Sequence, residues 1–307
     1  MNGIASKKIG ILAGGPSSER EISLKSGEAV YNSLRAEKYD VVLIDIKDDN
    51  KENLKTSLKE KGIEIAFIAL HGRFGEDGEI QEILDELHIP YTGSGPQASR
   101  LALDKVATKK IFAKSGIVTP PYMVFQRKEK IEAENLEFPL VVKPRCEGSS
   151  IGLSIVRGED ELKKAIDKAC MYDDIIIIEK YIKGREITVG IFDEEPLCAI
   201  EIVPGSDFYD YEAKYIRSDT KYLVPAPINE EEHKKTKYIG KKAHIALNCR
   251  GFSRVDMILG EDGEIYALEV NTIPGLTSRS LLPKAAEQAG ISFSDLCKRM
   301  VELALKK

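Results

Sequence analysis

The sequence predicts an α/β protein that opens with a parallel sheet and crossover helices. Three observations carry that expectation. Short apolar runs alternate with stretches of helical spacing, the runs end in glycine-rich turns, and the 307 residues are 42% hydrophobic without a long apolar block. "KKIGILAGG" is the first run, closed by Gly14-Gly15, and reads as a buried strand entering a tight turn. Ser17 and Ser18 then offer helix caps, and Glu19 and Glu21 place acids in a first turn, where the dipole favours them. Ile22, Ala29, Val30 and Leu34 sit behind them at helical spacing. "YDVVLIDI" is the second strand, "KENLKTSLKEKG" a polar helix and "IEIAFIAL" the third strand. Ligands of such sheets bind beyond the carboxyl ends of the strands. Those ends are Gly14-Gly15 with the following Ser-Ser-Glu, and "HGRFGEDG" after Leu70.

A boundary falls at "PYTGSGPQASR", where Pro90, Gly93, Gly95 and Pro96 cluster. One helix is expected through "LALDKVATKKIFAKSG", broken at Pro120-Pro121. The strand "FPLVVKP" then leads into "RCEGSSIGLSIV", followed by the helix "EDELKKAIDKA" and the strand "DIIIIEKYI". From about Gly184 a third block begins, with core strands "EITVGIF", "GFSRVDMIL" and "EIYALEVN". It closes with a helix in which Phe293, Leu296, Met300 and Leu303 share one face, and Ser292 with Asp295 resembles a capping box. The segment from Pro204 to Pro227 has little periodicity, and stretches of that length are usually functional lids.

Composition narrows the function. Lys+Arg 45 against Asp+Glu 50 gives a net charge of −5, without the basic surplus of a nucleic-acid binder. No apolar run approaches the ~20 residues of a membrane span, and the N-terminus lacks a signal-peptide pattern. Five scattered cysteines form no CxxC pair, as expected of reduced thiols in a cytoplasmic protein. The first turn reads GGPSSE and lacks GxGxxG, and GxxxxGK[ST] does not occur, which disfavours nicotinamide and P-loop enzymes.

Within "SRVDMIL…EIYALEVN", strand alternation puts Glu269 and Asn271 on one face and likewise pairs Arg254 with Asp256. Tyr266, Leu268 and Val270 then form the expected core face. Two carboxylates and an amide oxygen are hard ligands suited to Mg²⁺, although solvated acids on an exposed sheet give the same pattern. Lys143 ends an apolar strand, and the loop from Gly148 to Gly152 has amides and hydroxyls able to fold over phosphates, or is an ordinary surface hairpin. Glu179 through Ile182 end another strand, whose backbone and carboxylate could receive an adenine and its ribose. In "DFYDYEAKY", Lys214 offers a charge for phosphate and Tyr215 a hydroxyl, though loop tyrosines also serve as packing anchors. His71 is the one histidine beside glycines at a strand terminus, and a lone histidine is usually structural.

As an ordered set these segments resemble the D-alanine–D-alanine ligases of the ATP-grasp superfamily. The resemblance runs through "AGGPSSEREISLKSG", "ALHGRFGEDGEIQ", "PYTGSGPQAS", "DKVATK", "VVKPRCEGSSIG", "EKYIKGREITVGI", "FYDYEAKY", "FSRVDMIL", "LEVNTIPGLTSRSL" and "AAEQAGISFSDL". It implies an N-terminal α/β domain (1–95), then central (96–183) and C-terminal (184–307) ATP-grasp subdomains clasping ATP. Two D-alanines would be joined through an acylphosphate, for peptidoglycan synthesis. Lys105, Lys143 and Lys214 match phosphate-contacting lysines, and Glu179, Lys180, Ile182 and Glu186 match adenosine-site positions. Asp256, Glu269 and Asn271 match ligands of Mg²⁺ or Mn²⁺, two ions in the family, with K⁺ an activator in some relatives. Glu19 matches the anchor of the first D-alanine's ammonium, in a set with Ser149 and Tyr215. Arg254 and the Gly275 N–H match oxyanion stabilisers, Ser280 and the Leu281 amide match the second carboxylate site, and His71 lies near the first D-alanine.

Family members are commonly homodimers. Departures are small: Val270 and Leu276 stand where many members carry alanine and methionine, and Cys146 lies in the loop. Ligases making D-alanyl-D-lactate often carry phenylalanine at the Tyr215 position, so this tyrosine favours the dipeptide. Two other readings are a ligase using D-lactate or D-serine, and a catalytically inactive nucleotide-binding sensor.

Overall fold

The computed structural model describes residues 4, 6–127, 129, 137–205, 220–277 and 279–306. Three sheets organise them. In the first, β1 (Ile9–Gly14) lies between β2 (Val41–Ile46) and β3 (Ile65–Ile68), all parallel. The crossovers are α1 (Arg20–Ala36) and α2 (Lys51–Glu60). Every residue of β1 is buried, as a central parallel strand covered on both faces requires. The buried stripe of α1 is Ser23, Ser26, Gly27, Val30 and Leu34, so the expected Ile22 and Ala29 do not belong to it. Small residues are needed there: a Cβ on Gly27 would lie 2.5 Å from that of Ala13. Ile22 and Ala29 instead face a cavity.

After α3 (Glu79–Glu86), the expected single helix is two, α4 (Pro96–Leu103) and α5 (Lys105–Lys114). Asp104 breaks it with an extended backbone (ψ 98°), and its carboxylate accepts from the amides of Val106 and Ala107 at 3.0 and 3.1 Å. An aspartate that caps the next helix cannot continue the previous one.

The second sheet is antiparallel, with the order β4 (Tyr122–Gln126), β7 (Ile175–Lys180), β5 (Leu140–Pro144), β6 (Ser154–Val156). Its core packs Val142, Ile176 and Ile178 against Leu162, Ala165 and Ala169 of α6 (Glu159–Ala169). The third sheet begins with β10 (Lys221–Leu223), β9 (Glu195–Val203) and β8 (Gly184–Phe192). It continues to β11 (Phe252–Gly260) and β12 (Ile265–Asn271), again antiparallel. α7 (Glu230–Ala246), opened by an Asn229/Glu232 capping box, packs Ile239 and Ala243 against Val189, Val255 and Met257. α8 (Leu281–Gln288) and α9 (Phe293–Ala304) return to the first sheet, placing Leu282, Leu296 and Met300 in one core with Ile9, Ile11 and Phe67. The chain's two ends therefore share a core.

Three further local expectations change. Glu19, not Ser17 or Ser18, occupies the N-cap position of α1 and makes no side-chain cap. Ser292 caps α9 through the Asp295 amide, but the Asp295 carboxylate accepts from the Ser292 hydroxyl at 2.7 Å instead of completing the reciprocal box. In β12 the buried residues are Ile265, Ala267 and Val270, not Tyr266 and Leu268. The register runs from Asp256↔Glu269 to Met257↔Ala267, leaving Leu268 as the extra residue of a β-bulge. One inserted residue reverses the phase of the alternation. Among the described residues no helix is long and apolar enough to cross a membrane.

Candidate active site

The strand ends and loops enclose two adjoining cavities. The larger, about 990 Å³, is lined by Glu19, His71, Arg254, Asn271, Gly275, Ser280 and Leu281. The smaller, about 320 Å³, is lined by Lys143, Glu179, Lys180, Ile182, Glu186 and Asp256. Lys105, Glu147, Gly148, Ser149 and Glu269 belong to both walls. Every candidate site residue among the described ones thus lines at least one of the two cavities. Lys214 and Tyr215 lie outside the described residues.

The large cavity begins where β1 ends. Glu19 follows the Gly14-Gly15 turn, is 6% exposed, and accepts a hydrogen bond from the Ser149 hydroxyl. Two glycines leave room for its carboxylate: a Cβ on Gly72 or on Gly148 would stand 2.8 Å from Oε2. Ser149 and Ser150 hold left-handed backbones (φ 50° and 60°), uncommon for non-glycine residues and typical of strained functional loops.

His71 is buried and shares a 3.1 Å hydrogen bond with Ser26 Oγ, which also accepts from the Leu276 amide at 3.3 Å. The helix face of α1, the end of β3 and the Gly275–Leu276 turn are thereby fixed together. Burial lowers the His71 pKa against the opposing charge of Glu19, which favours the neutral ring. Half-buried Glu76, whose carboxylate accepts from the Gly72 amide at 2.7 Å, has its pKa pushed up to about 8 by burial, with the Glu19 charge adding. Ser280 precedes α8, and its hydroxyl accepts from the Thr277 amide at 2.9 Å. The amide-rich start of a helix is suited to a carboxylate.

The small cavity lies between the second and third sheets. Lys143 at the end of β5 and Glu179 on β7 meet at 3.0 Å and are 6% and 2% exposed. Lys105 opens α5; its Nζ donates to the Glu147 carbonyl at 2.5 Å and lies 3.6 Å from Glu269 Oε2. Asp256 accepts from Thr188 Oγ1 at 2.6 Å and from Arg254 Nε and Nη2 at 2.9 and 2.8 Å. It stands in register with Glu269 across β11 and β12, and Arg254 stands opposite Asn271. Among the described residues no cluster of three His, Cys, Asp or Glu side chains forms a metal cage. Two adjacent carboxylates and an amide oxygen suit a Mg²⁺-type ion whose remaining ligands are phosphate oxygens and water.

Sequence reasoning left out Glu76 and Lys109. Lys109, fully buried, is 3.0 Å from the same Glu179 oxygen as Lys143, and burial lowers its pKa to about 8 against the attraction of Glu179. The "DKVATKK" stretch contains it, but an ammonium four residues beyond Lys105 on a helix gives no sign of being inside.

Comparison with known proteins points one way. Residues 111–302 match the family model described as D-ala D-ala ligase C-terminus, and residues 8–61 and 47–94 match D-ala D-ala ligase N-terminus. The chain is 48% identical over 305 residues to the D-alanine–D-alanine ligase of Geobacter sulfurreducens, covering 97% of this chain and 95% of that one. It is 42% identical over 311 residues to the same-named protein of Actinobacillus succinogenes, at 99% and 100% coverage. Among solved structures it is similar to the Bacillus anthracis D-alanine–D-alanine ligase complexed with ATP, with TM-score 0.87, 36% identity and 98% of each chain covered. The VanG D-Ala:D-Ser ligase of Enterococcus faecalis is similar at TM-score 0.84 and 32% identity, over 97% and 99% of the chains.

Proposed function

The chain belongs to the D-alanine–D-alanine ligase family, and on that premise we propose that it joins two D-alanines at the expense of ATP, for peptidoglycan precursor synthesis. The observation that carries this reading is the wall common to the two cavities, formed by Lys105, the Glu147–Ser149 loop and Glu269. A nucleotide in the small cavity and an amino acid in the large one would meet there.

A carboxylate is a poor acyl donor because its oxygen is a poor leaving group. In the proposed reaction one oxygen of the first D-alanine attacks the γ-phosphorus and ADP departs. The amine of the second D-alanine then attacks the acyl carbon, and the tetrahedral adduct collapses with loss of inorganic phosphate. One proton leaves the attacking nitrogen, and the products are dipeptide, ADP and phosphate.

In this scheme Glu19, oriented by Ser149, holds the first ammonium, with neutral His71 beside it. Arg254 and the Gly275 N–H stabilise the oxyanion, a role worth about 10²–10³ in rate where single donors have been removed elsewhere. Ser280 and the Leu281 amide hold the second carboxylate. Glu179, Lys180, Ile182 and Glu186 receive the adenosine, and Lys105, Lys143 and Lys214 offset phosphate charge. A divalent ion (Mg²⁺ or Mn²⁺) bound at Asp256, Glu269 and Asn271 would supply further charge neutralisation to the phosphates. The reading divides the chain near residues 95 and 183, with ATP between the second and third parts.

The test is D-alanine-dependent ADP formation with the product identified by mass, offering D-alanine, D-lactate and D-serine as acceptors. D-alanyl-D-alanine is the expected product. ADP release indifferent to D-alanine, or preferential incorporation of D-lactate or D-serine at neutral pH, would contradict the reading.

A further inference from the structure

Glu179 Oε1 is the meeting point of two ammonium groups, Lys143 Nζ and Lys109 Nζ, each 3.0 Å away. The two lysines are held differently. Lys143 lines the small cavity. Lys109 lines neither cavity; it is fully buried, donates to Thr119 Oγ1 at 2.6 Å, and sits 5.2 Å from the Tyr122 ring centroid. We propose that Lys109 is a positioning residue of the nucleotide site: it remains the counterion of Glu179 and so releases Lys143 to the nucleotide's phosphates. This rests on the nucleotide-site reading above.

Glu179 is buried, and a buried carboxylate deprived of its only counterion is strongly unfavourable. If Lys143 were that only partner, moving toward phosphate would strand the charge, and the ion pair would compete with nucleotide. With Lys109 anchored by a hydroxyl and an aromatic face, Glu179 stays compensated. Two ammoniums on one oxygen also repel, and the one facing open space is the one free to move.

The experiment is calorimetric titration of the full chain with ADP, and separately with adenosine, in the parent and in Lys109→Met, Glu179→Gln and the double variant. Lys109→Met is expected to weaken ADP binding about tenfold or more while leaving adenosine binding within about threefold. Glu179→Gln and the double variant are expected to bind ADP within about threefold of each other, because Lys109 acts only through Glu179. ADP affinity unchanged in Lys109→Met, equal losses for ADP and adenosine, or a larger gap between the single and double Glu179 variants would overturn the proposal. A structure of the unmodified chain with ADP decides it even if a variant does not fold. Lys143 should have moved to the phosphates with Lys109 still on Glu179, and Lys143 remaining on Glu179 would refute the exchange. If the parent binds no ADP, the nucleotide-site reading itself fails.

Discussion

The Ser149 hydroxyl donates to the Glu19 carboxylate, joining residues 130 positions apart. Glu19 stands at the entry to α1 and Ser149 in the loop between β5 and β6, so the bond ties the first sheet to the second. It fixes the carboxylate at the edge of the cavity where an ammonium would sit.

Glu19→Gln keeps that hydrogen bond and removes the charge. The expected result is a rise in the D-alanine KM of about 100-fold, with ATP binding little altered, because a buried charge pair loses one partner. Steady-state kinetics with each substrate varied in turn checks it. Equal losses for both substrates would indicate general damage.

Arg254 faces the large cavity while its guanidinium grips Asp256. Arg254→Met should lower kcat by about 10²–10³-fold with a much smaller change in ATP affinity, as loss of an oxyanion donor predicts. Rapid-quench assays at saturating substrate measure this, and a kcat near the parent's would remove Arg254 from the chemistry.

Glu269 faces Asp256 across the strand pair. Glu269→Gln should raise the Mg²⁺ concentration needed for half-maximal activity by about tenfold or more while the melting temperature changes little. Retained activity at ordinary Mg²⁺ would argue against these two carboxylates as the metal ligands.

Glu76 gives a pH signature. With its folded pKa near 8 against an ordinary 4.5, the folded state keeps a proton that the unfolded chain gives up between those values. Its contribution to stability is full below pH 4.5 and is lost as pH rises through about 8. Glu76→Gln, which never ionises, should therefore gain stability relative to the parent across that window, by up to about 1.4 kcal/mol for each pH unit. Denaturant midpoints at pH about 5 and about 8 test this. Parallel pH dependences in the two proteins would show that Glu76 titrates normally.

Much of this architecture was legible because it rests on local patterns. The apolar runs ending at Gly14, Leu70, Lys143 and Asn271 mark strand ends, and the residues that follow them line the cavities. What escaped was set by tertiary contact. The bulge at Leu268 arises from pairing with β11, so alternation read from β12 alone gives the wrong buried face. In the sequence Asp104 is one polar residue within a helical pattern, yet its two amide partners and Arg145, which donates to it from Nε at 2.8 Å, make it a break. Lys109 and Glu76 are ordinary charged residues in sequence. Their character comes from burial beside Glu179 and Glu19, which only the assembled sheets supply.

Supply both carboxylate oxygens of D-alanine as ¹⁸O, run a single turnover with ATP, and analyse the released inorganic phosphate by mass. Transfer through an acylphosphate predicts one ¹⁸O in each phosphate and one retained in the new peptide carbonyl. Dipeptide formed alongside phosphate free of ¹⁸O would contradict the account.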